Sequence, residues 1–119
     1  MQIKDKVRIS NGKGAVENEA LFDTGATHCI LDRDIAEKAN ITISTRPTLI
    51  TLPDGRKINA YPAMGDIEIA GCKQPLYALV PDTKPFYPIT IGILQMEAMG
   101  VELNPKNGSY TVKCRSPYF

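Results

Sequence analysis

Apolar and charged residues alternate from Gln2 to Ser10, where Ile3, Val7 and Ile9 are set among Lys4, Asp5, Lys6 and Arg8. A period of two predicts a strand with one buried face. Asn11-Gly12-Lys13-Gly14 supplies the residues of a tight turn, so a hairpin returning through Ala15 to Phe22 opens the chain. Asp32 stands where a helix over Arg33 to Ala39 needs its N-cap; Asp34 falls in the first turn, Lys38 in the last, and Asn40 is a stop. From Thr42 to Val80 short apolar sets recur: Ile43, Leu49, Ile50 and Leu52, then Ile58, Tyr61, Ile67 and Ile69, then Leu76, Ala78 and Val80. They are broken at Pro53-Asp54-Gly55, Ala70-Gly71 and Pro81-Asp82, which are turn sequences. Ile89-Thr90-Ile91-Gly92 predicts a short buried strand, and Leu94 to Met99 a helix closed by Gly100. Val101 to Leu103 and Tyr110 to Lys113 finish as strands around Asn107-Gly108. Many short strands with two short helices point to a mainly β domain whose sheet is closed or strongly curved.

Composition narrows the function classes. A chain of 119 residues fits one domain, expected to span residues 1–119, since no linker, repeat or low-complexity tract divides it. At 43% hydrophobic and 23% charged it is too apolar for a disordered chain. Fourteen Lys and Arg against 13 Asp and Glu leave a net charge of +1, which provides no field to gather phosphate backbones or anionic lipid. Neither nucleic acid nor a membrane is therefore expected as a partner. The first ten residues lack the apolar core of a signal peptide, and no apolar run is long enough to cross a bilayer. Cys29, Cys72 and Cys114 are odd in number, widely spaced and without a C-x-x-C pair, which predicts reduced thiols and a cytoplasmic protein.

The segment that carries chemistry is Ala20-Leu21-Phe22-Asp23-Thr24-Gly25-Ala26-Thr27, in which an apolar strand delivers a carboxylate into a turn of small residues. An isolated ion is costly at the end of a buried strand, so Asp23 calls for a hydrogen-bond partner or a chemical use. Gly25 lets the backbone approach a neighbour closely, and Thr24 brings a hydroxyl that can brace the turn. By composition Asp-[Ser/Thr]-Gly arises in about one in twenty chains of this length. Two apolar residues before it and Ala after it reduce that to the order of one in a thousand, which makes the segment informative.

Leu21-Phe22-Asp23-Thr24-Gly25-Ala26 resembles the first motif of the retropepsin-like aspartic proteases, a D-[ST]-G-A loop after an apolar strand. Ile89-Thr90-Ile91-Gly92, followed by Leu94 to Met99, is similar to the family's second motif, an apolar-apolar-Gly stretch before a short helix. The resemblance runs from about Val16 to Leu103 and implies the acid protease fold, a closed β-barrel with one or two short helices and one domain per subunit. It also implies catalysis by Asp23, an active-site loop of Thr24, Gly25 and Ala26, and a substrate-covering flap over Thr51 to Ile58. Leu52, Pro53, Asp54, Gly55 and Arg56 would form the flap's working part, and apolar side chains near Ala26, Leu52 and Ile91 would be candidates for lining substrate subsites. Two features depart from the family pattern. Ile93 and Leu94 follow Gly92 where many relatives carry polar residues, and Pro53 stiffens a flap tip that is glycine-rich in viral members.

Peptide hydrolysis of this kind needs one carboxylate to take a proton from water and another to return one. Two carboxylates held close share a single proton, as aspartic proteases in general illustrate. The sequence contains one Asp-Thr-Gly; Asp82-Thr83-Lys84 lacks the glycine and lies between Pro81 and Pro85, as a surface turn would. The second carboxylate must come from an identical subunit across a twofold axis. A homodimeric aspartic endopeptidase acting on peptides or unfolded protein, without metal or organic cofactor, is the leading expectation. The alternative is a non-catalytic dimerisation or peptide-binding module on the same fold. Beside the site, His28 reads as a satisfied side chain and Cys29 as a small core filler rather than a nucleophile.

Overall fold

The computed structural model describes residues 2–52 and 54–115. In chain order its elements are β1 (Ile3–Asn11), β2 (Gly14–Phe22), β3 (Cys29–Leu31), α1 (Arg33–Lys38), β4 (Thr42–Ile43), β5 (Thr48–Thr51), β6 (Lys57–Ile69), β7 (Cys72–Pro81), β8 (Ile89–Ile91), α2 (Ile93–Met99), β9 (Val101–Asn104) and β10 (Ser109–Val112). The opening alternation forms the expected hairpin: β1 and β2 pair from Ile3↔Phe22 to Asn11↔Gly14 across Gly12 and Lys13. From β2 the sheet passes in parallel to β8, antiparallel to β3, in parallel to β7 and antiparallel to β6. It closes where Ile9 of β1 meets Ile67 of β6. Six strands thus form a barrel, which removes the open edges that an isolated sheet would expose.

Ile9, Leu31, Ile67, Ile69, Leu76, Ile89 and Ile91 fill the barrel, and Met96 and Met99 of α2 pack onto the same core. Burying each such side chain contributes roughly 1.5–3 kcal/mol. Along β6 the inward face changes phase: Ile58 and Ala60 face in before Pro62, and Ala63, Ile67 and Ile69 after it. Pro62 has no N–H to donate, and it sits in the gap between β4 and β5, where its carbonyl accepts from Ser44 N–H at 2.8 Å. β7 changes from alternating burial to burial on both faces from Ala78 onward, where β3 joins it in parallel.

Both helices lie where the pattern predicts them. Asp32 occupies the N-cap position of α1, but its side chain makes no capping hydrogen bond; its carboxylate lies 3.9 Å from Lys84 Nζ instead. Gly100 ends α2 in the left-handed conformation at φ 72°, which its missing Cβ permits. β3 is an addition to the expected elements, since three residues are too few to show a period. No helix among the described residues is long and apolar enough to cross a membrane.

The expectation of three reduced thiols is overturned at two of them. Cys72 at the start of β7 is disulfide-bonded to Cys114 beyond β10, while Cys29 stays free and buried. The two cysteines are 42 residues apart, and confining the unfolded chain by a loop of that length is worth about 4 kcal/mol. Sequence spacing did not reveal the pair because the turn at Ala70-Gly71 and the β9–β10 hairpin bring the ends together only in three dimensions.

Ile67→Ala empties a fully buried site at the seam where the barrel closes. The expected loss is about 2–5 kcal/mol, read as a lower urea midpoint with an unchanged slope.

Candidate active site

The two motifs singled out in the sequence meet at one point. β2 and β8 run in parallel with Leu21 opposite Thr90 and Phe22 opposite Ile91. One residue further on, Asp23 N–H donates to the Ile91 carbonyl at 3.0 Å, and β2 ends there. The chain then turns: Ala26 N–H donates to the Asp23 carbonyl at 3.1 Å, and Gly25 N–H to Asp23 Oδ1 at 2.9 Å. The loop is held from its far side by α2, whose first amides on Ile93 and Leu94 donate to the carbonyls of Ala26 and Thr27 at 2.7 and 3.2 Å. Donors that a helix start leaves without partners here fasten the Asp23 loop.

Gly92 makes this junction sterically possible. A Cβ at residue 92 would stand 2.5 Å from the His28 carbonyl oxygen and 2.7 Å from that of Thr27, inside van der Waals contact with backbone that cannot rotate away. The second motif's glycine is thus the point where α2 and the Asp23 loop touch.

Asp23 is half-buried and Thr24 is exposed. Both line an open cleft of about 510 Å³ whose walls include Ile3, Leu21, Ile93, Val101, Leu103 and Pro105. The last three come from β9 and the turn after it, residues that the sequence reading assigned to no site. Their only signal was apolar spacing, which a core strand shares. Ala26 is half-buried on the same loop, and Ile91 itself is fully buried and serves the core.

A β5–β6 hairpin occupies the segment where the resemblance places a flap, and in it Thr51 pairs with Lys57. Leu52 N–H donates to the Arg56 carbonyl at 2.8 Å and Gly55 N–H to the Leu52 carbonyl at 2.9 Å. Asp54 accepts from Arg56 N–H at 3.0 Å and from Arg56 Nε at 2.6 Å, and these bonds, the backbone one foremost, lower the Asp54 pKa. Pro53 lies outside the described residues. Leu52, Asp54, Gly55 and Arg56 do not line the cleft that holds Asp23.

The neighbours of the loop have structural tasks. His28 packs edge-on to Tyr77 with ring centroids 5.7 Å apart. Burial raises the Cys29 thiol from its ordinary 9.0 to about 11, against a smaller lowering by the Gly92 backbone. A buried, protonated thiol is a poor nucleophile. Among the described residues no group of three or more His, Cys, Asp or Glu side chains is placed to hold a metal ion.

Gly92→Ala is expected to cost at least about 2 kcal/mol in chemical denaturation, since two backbone segments must separate to admit the methyl. Cys29 supplies a pH test. Its folded pKa lies above the unfolded one, so the stability it contributes is complete below pH 9.0 and is lost as pH rises through about 11. The loss amounts to about 2–3 kcal/mol. Cys29→Ala is expected to flatten that part of the stability curve relative to wild type.

Comparison with known proteins follows the same lines. The family model described as Aspartyl protease matches residues 6–99, which includes the Asp23 loop, the β5–β6 hairpin, β8 and α2. No curated protein sequence matches the chain. Among solved structures, EIAV protease complexed with the inhibitor HBY-793 is similar at a TM-score of 0.67 and 19% identity, covering 87% of this chain and 93% of that one. The retroviral protease-like domain of Ddi1 from Leishmania major is similar at 0.62 and 17%, covering 96% and 89%. A retropepsin-like aspartic protease from Rickettsia conorii is similar at 0.62 and 16%, covering 87% and 76%. At these identities the structures share the retropepsin fold, and the family match extends over most of the chain: this protein belongs to the aspartyl protease family.

Proposed function

We propose that the chain is one subunit of a homodimeric aspartic endopeptidase, which hydrolyses peptide bonds by activating water between its own Asp23 and the same residue of a second copy. The observation that carries this reading is the placing of a single Asp-Thr-Gly turn, braced from behind by the Ile91 carbonyl, at an open cleft. One carboxylate takes a proton from water as the oxygen attacks the peptide carbonyl. The other returns a proton to the departing amine. A twofold axis beside Asp23 presents the same loop from both subunits, and Thr24, exposed in the single chain, is available to brace the partner's loop.

The β5–β6 hairpin serves as the flap in this scheme. Its tip, pinned by the Asp54–Arg56 pair, covers an extended peptide that binds as an added strand. An unfolded segment meets that requirement; a folded one does not. No metal or organic cofactor takes part.

A second reading has its own observation. Ile93 and Leu94 follow Gly92, and Leu94 is left half-exposed on α2, an apolar surface that suits a dimerisation or peptide-binding module without catalysis.

Asp23→Asn separates the two. As a protease, the wild type cleaves unfolded peptides with a bell-shaped pH profile, and the variant loses about 10²–10⁴-fold in kcat/KM while sedimenting as the same dimer. As a binding module, wild type and variant bind peptide alike and neither cleaves. A folded wild-type dimer that cleaves nothing across a broad pH range ends the protease reading.

A further inference from the structure

We infer that the Cys72–Cys114 bond is a redox latch, which holds the β9–β10 hairpin against the barrel when oxidised and releases it when a dithiol reduces it. The latch rests on the proposed protease function only where activity is its readout.

β9 and β10 pair with each other through Val101↔Val112 to Asn104↔Ser109 and with no barrel strand among the described residues. A two-stranded hairpin has little stability of its own, so its place depends on what anchors it. Its inner face bears on the site. Leu103 and Val101 form a wall of the Asp23 cleft. Tyr110 stacks on Phe22 with ring centroids 4.7 Å apart, directly before Asp23, and donates its hydroxyl to Asp5.

Among the described residues beyond β10, few non-covalent anchors reach outside the β9–β10 hairpin, within which Lys113 pairs with Glu102 at 2.8 Å. Lys113 N–H donates to the Gly100 carbonyl at 2.9 Å, Arg115 N–H to that of Met99 at 3.4 Å, and the Gln74 side-chain amide to the Arg115 carbonyl. Two of these acceptors lie at the end of α2, immediately before β9, so they tie the segment mainly to its own neighbourhood. The bond to Cys72 is the covalent tie to the barrel wall.

Access to the bond is one-sided. Cys72 is 3% exposed, whereas Cys114 lies on the surface. An incoming thiolate attacks Cys114 Sγ, forms a mixed disulfide there, and expels Cys72 as a thiolate that takes up a proton. The reductant's second thiol then attacks the mixed disulfide and frees Cys114; the dithiol becomes a disulfide and two electrons pass to the protein. A disulfide-bearing oxidant reverses both steps. Cys29, 1% exposed, is shielded from the exchange. A reducing compartment opens the hairpin and an oxidising one closes it.

The test equilibrates the full chain in mixtures of reduced and oxidised dithiothreitol and follows three readouts. Alkylation after denaturation is expected to mark one cysteine in the oxidised protein and three in the reduced. Amide exchange of β9 and β10 is expected to quicken tenfold or more on reduction, with the barrel strands unchanged. Peptide cleavage is expected to fall with the same midpoint as bond opening, and Cys114→Ser to show fast hairpin exchange at every redox ratio. Three marked cysteines in the oxidised buffer, equal hairpin protection in both states, or barrel and hairpin loosening together would each overturn the latch. Absence of cleavage in both redox states, with hairpin exchange still responding, sinks the protease reading and leaves the latch standing.

Discussion

The backbone hydrogen bond from Asp23 to the Ile91 carbonyl joins two segments that lie almost seventy residues apart in sequence, roughly the length that a chain-closure cost makes unfavourable without compensation. The barrel supplies the compensation. Because β2, β8 and β3 are neighbours in one closed sheet, the end of β2 has only one place to go, and the carboxylate leaves the sheet there. The remaining contacts of the site follow from that crossing: the turn closed by Ala26, the carboxylate held by Gly25, and the α2 amides spent on the loop's far side. An aspartate on a freely hinged loop would have no fixed direction in which to present its charge.

Around this junction the molecule divides its labour between rigid and loosely held parts. The barrel is filled by branched aliphatic side chains and closed on itself, so its strands resist local opening. The β5–β6 hairpin projects from it with a tip held by bonds within the loop, and the β9–β10 hairpin lies against it through side chains and one covalent tie. The β9–β10 hairpin supplies a wall of the cleft, whereas the β5–β6 tip, the proposed cover, does not line it in the single chain.

The family relationship and the fold agree with the geometry, and two features of this chain lie outside the position of Asp23 itself. Apolar residues stand directly after Gly92, and the second of them meets solvent. The covalent link from the first residue of β7 to the segment beyond β10 ties the hairpin that walls the cleft to a barrel strand. These features bear on the proposed assembly and the inferred latch rather than on the position of Asp23, which the β2–β8 pairing already determines.

What was legible in the sequence is what depends on neighbours along the chain. The alternation of β1, the glycine turn, the apolar approach to Asp23, the strand before Gly92 and the stop at Gly100 are all local, and each formed where the pattern placed it. What tertiary structure alone decided is what depends on distance through space. β3 is too short to have a period, the inward phase of β6 changes at Pro62, and Ile91, apolar like a substrate contact, is enclosed by the core. The Cys72–Cys114 pair and the contribution of Val101 and Leu103 to the cleft arise for the same reason: periodicity reports which face of an element is apolar, but only closure of the barrel determines what that face meets.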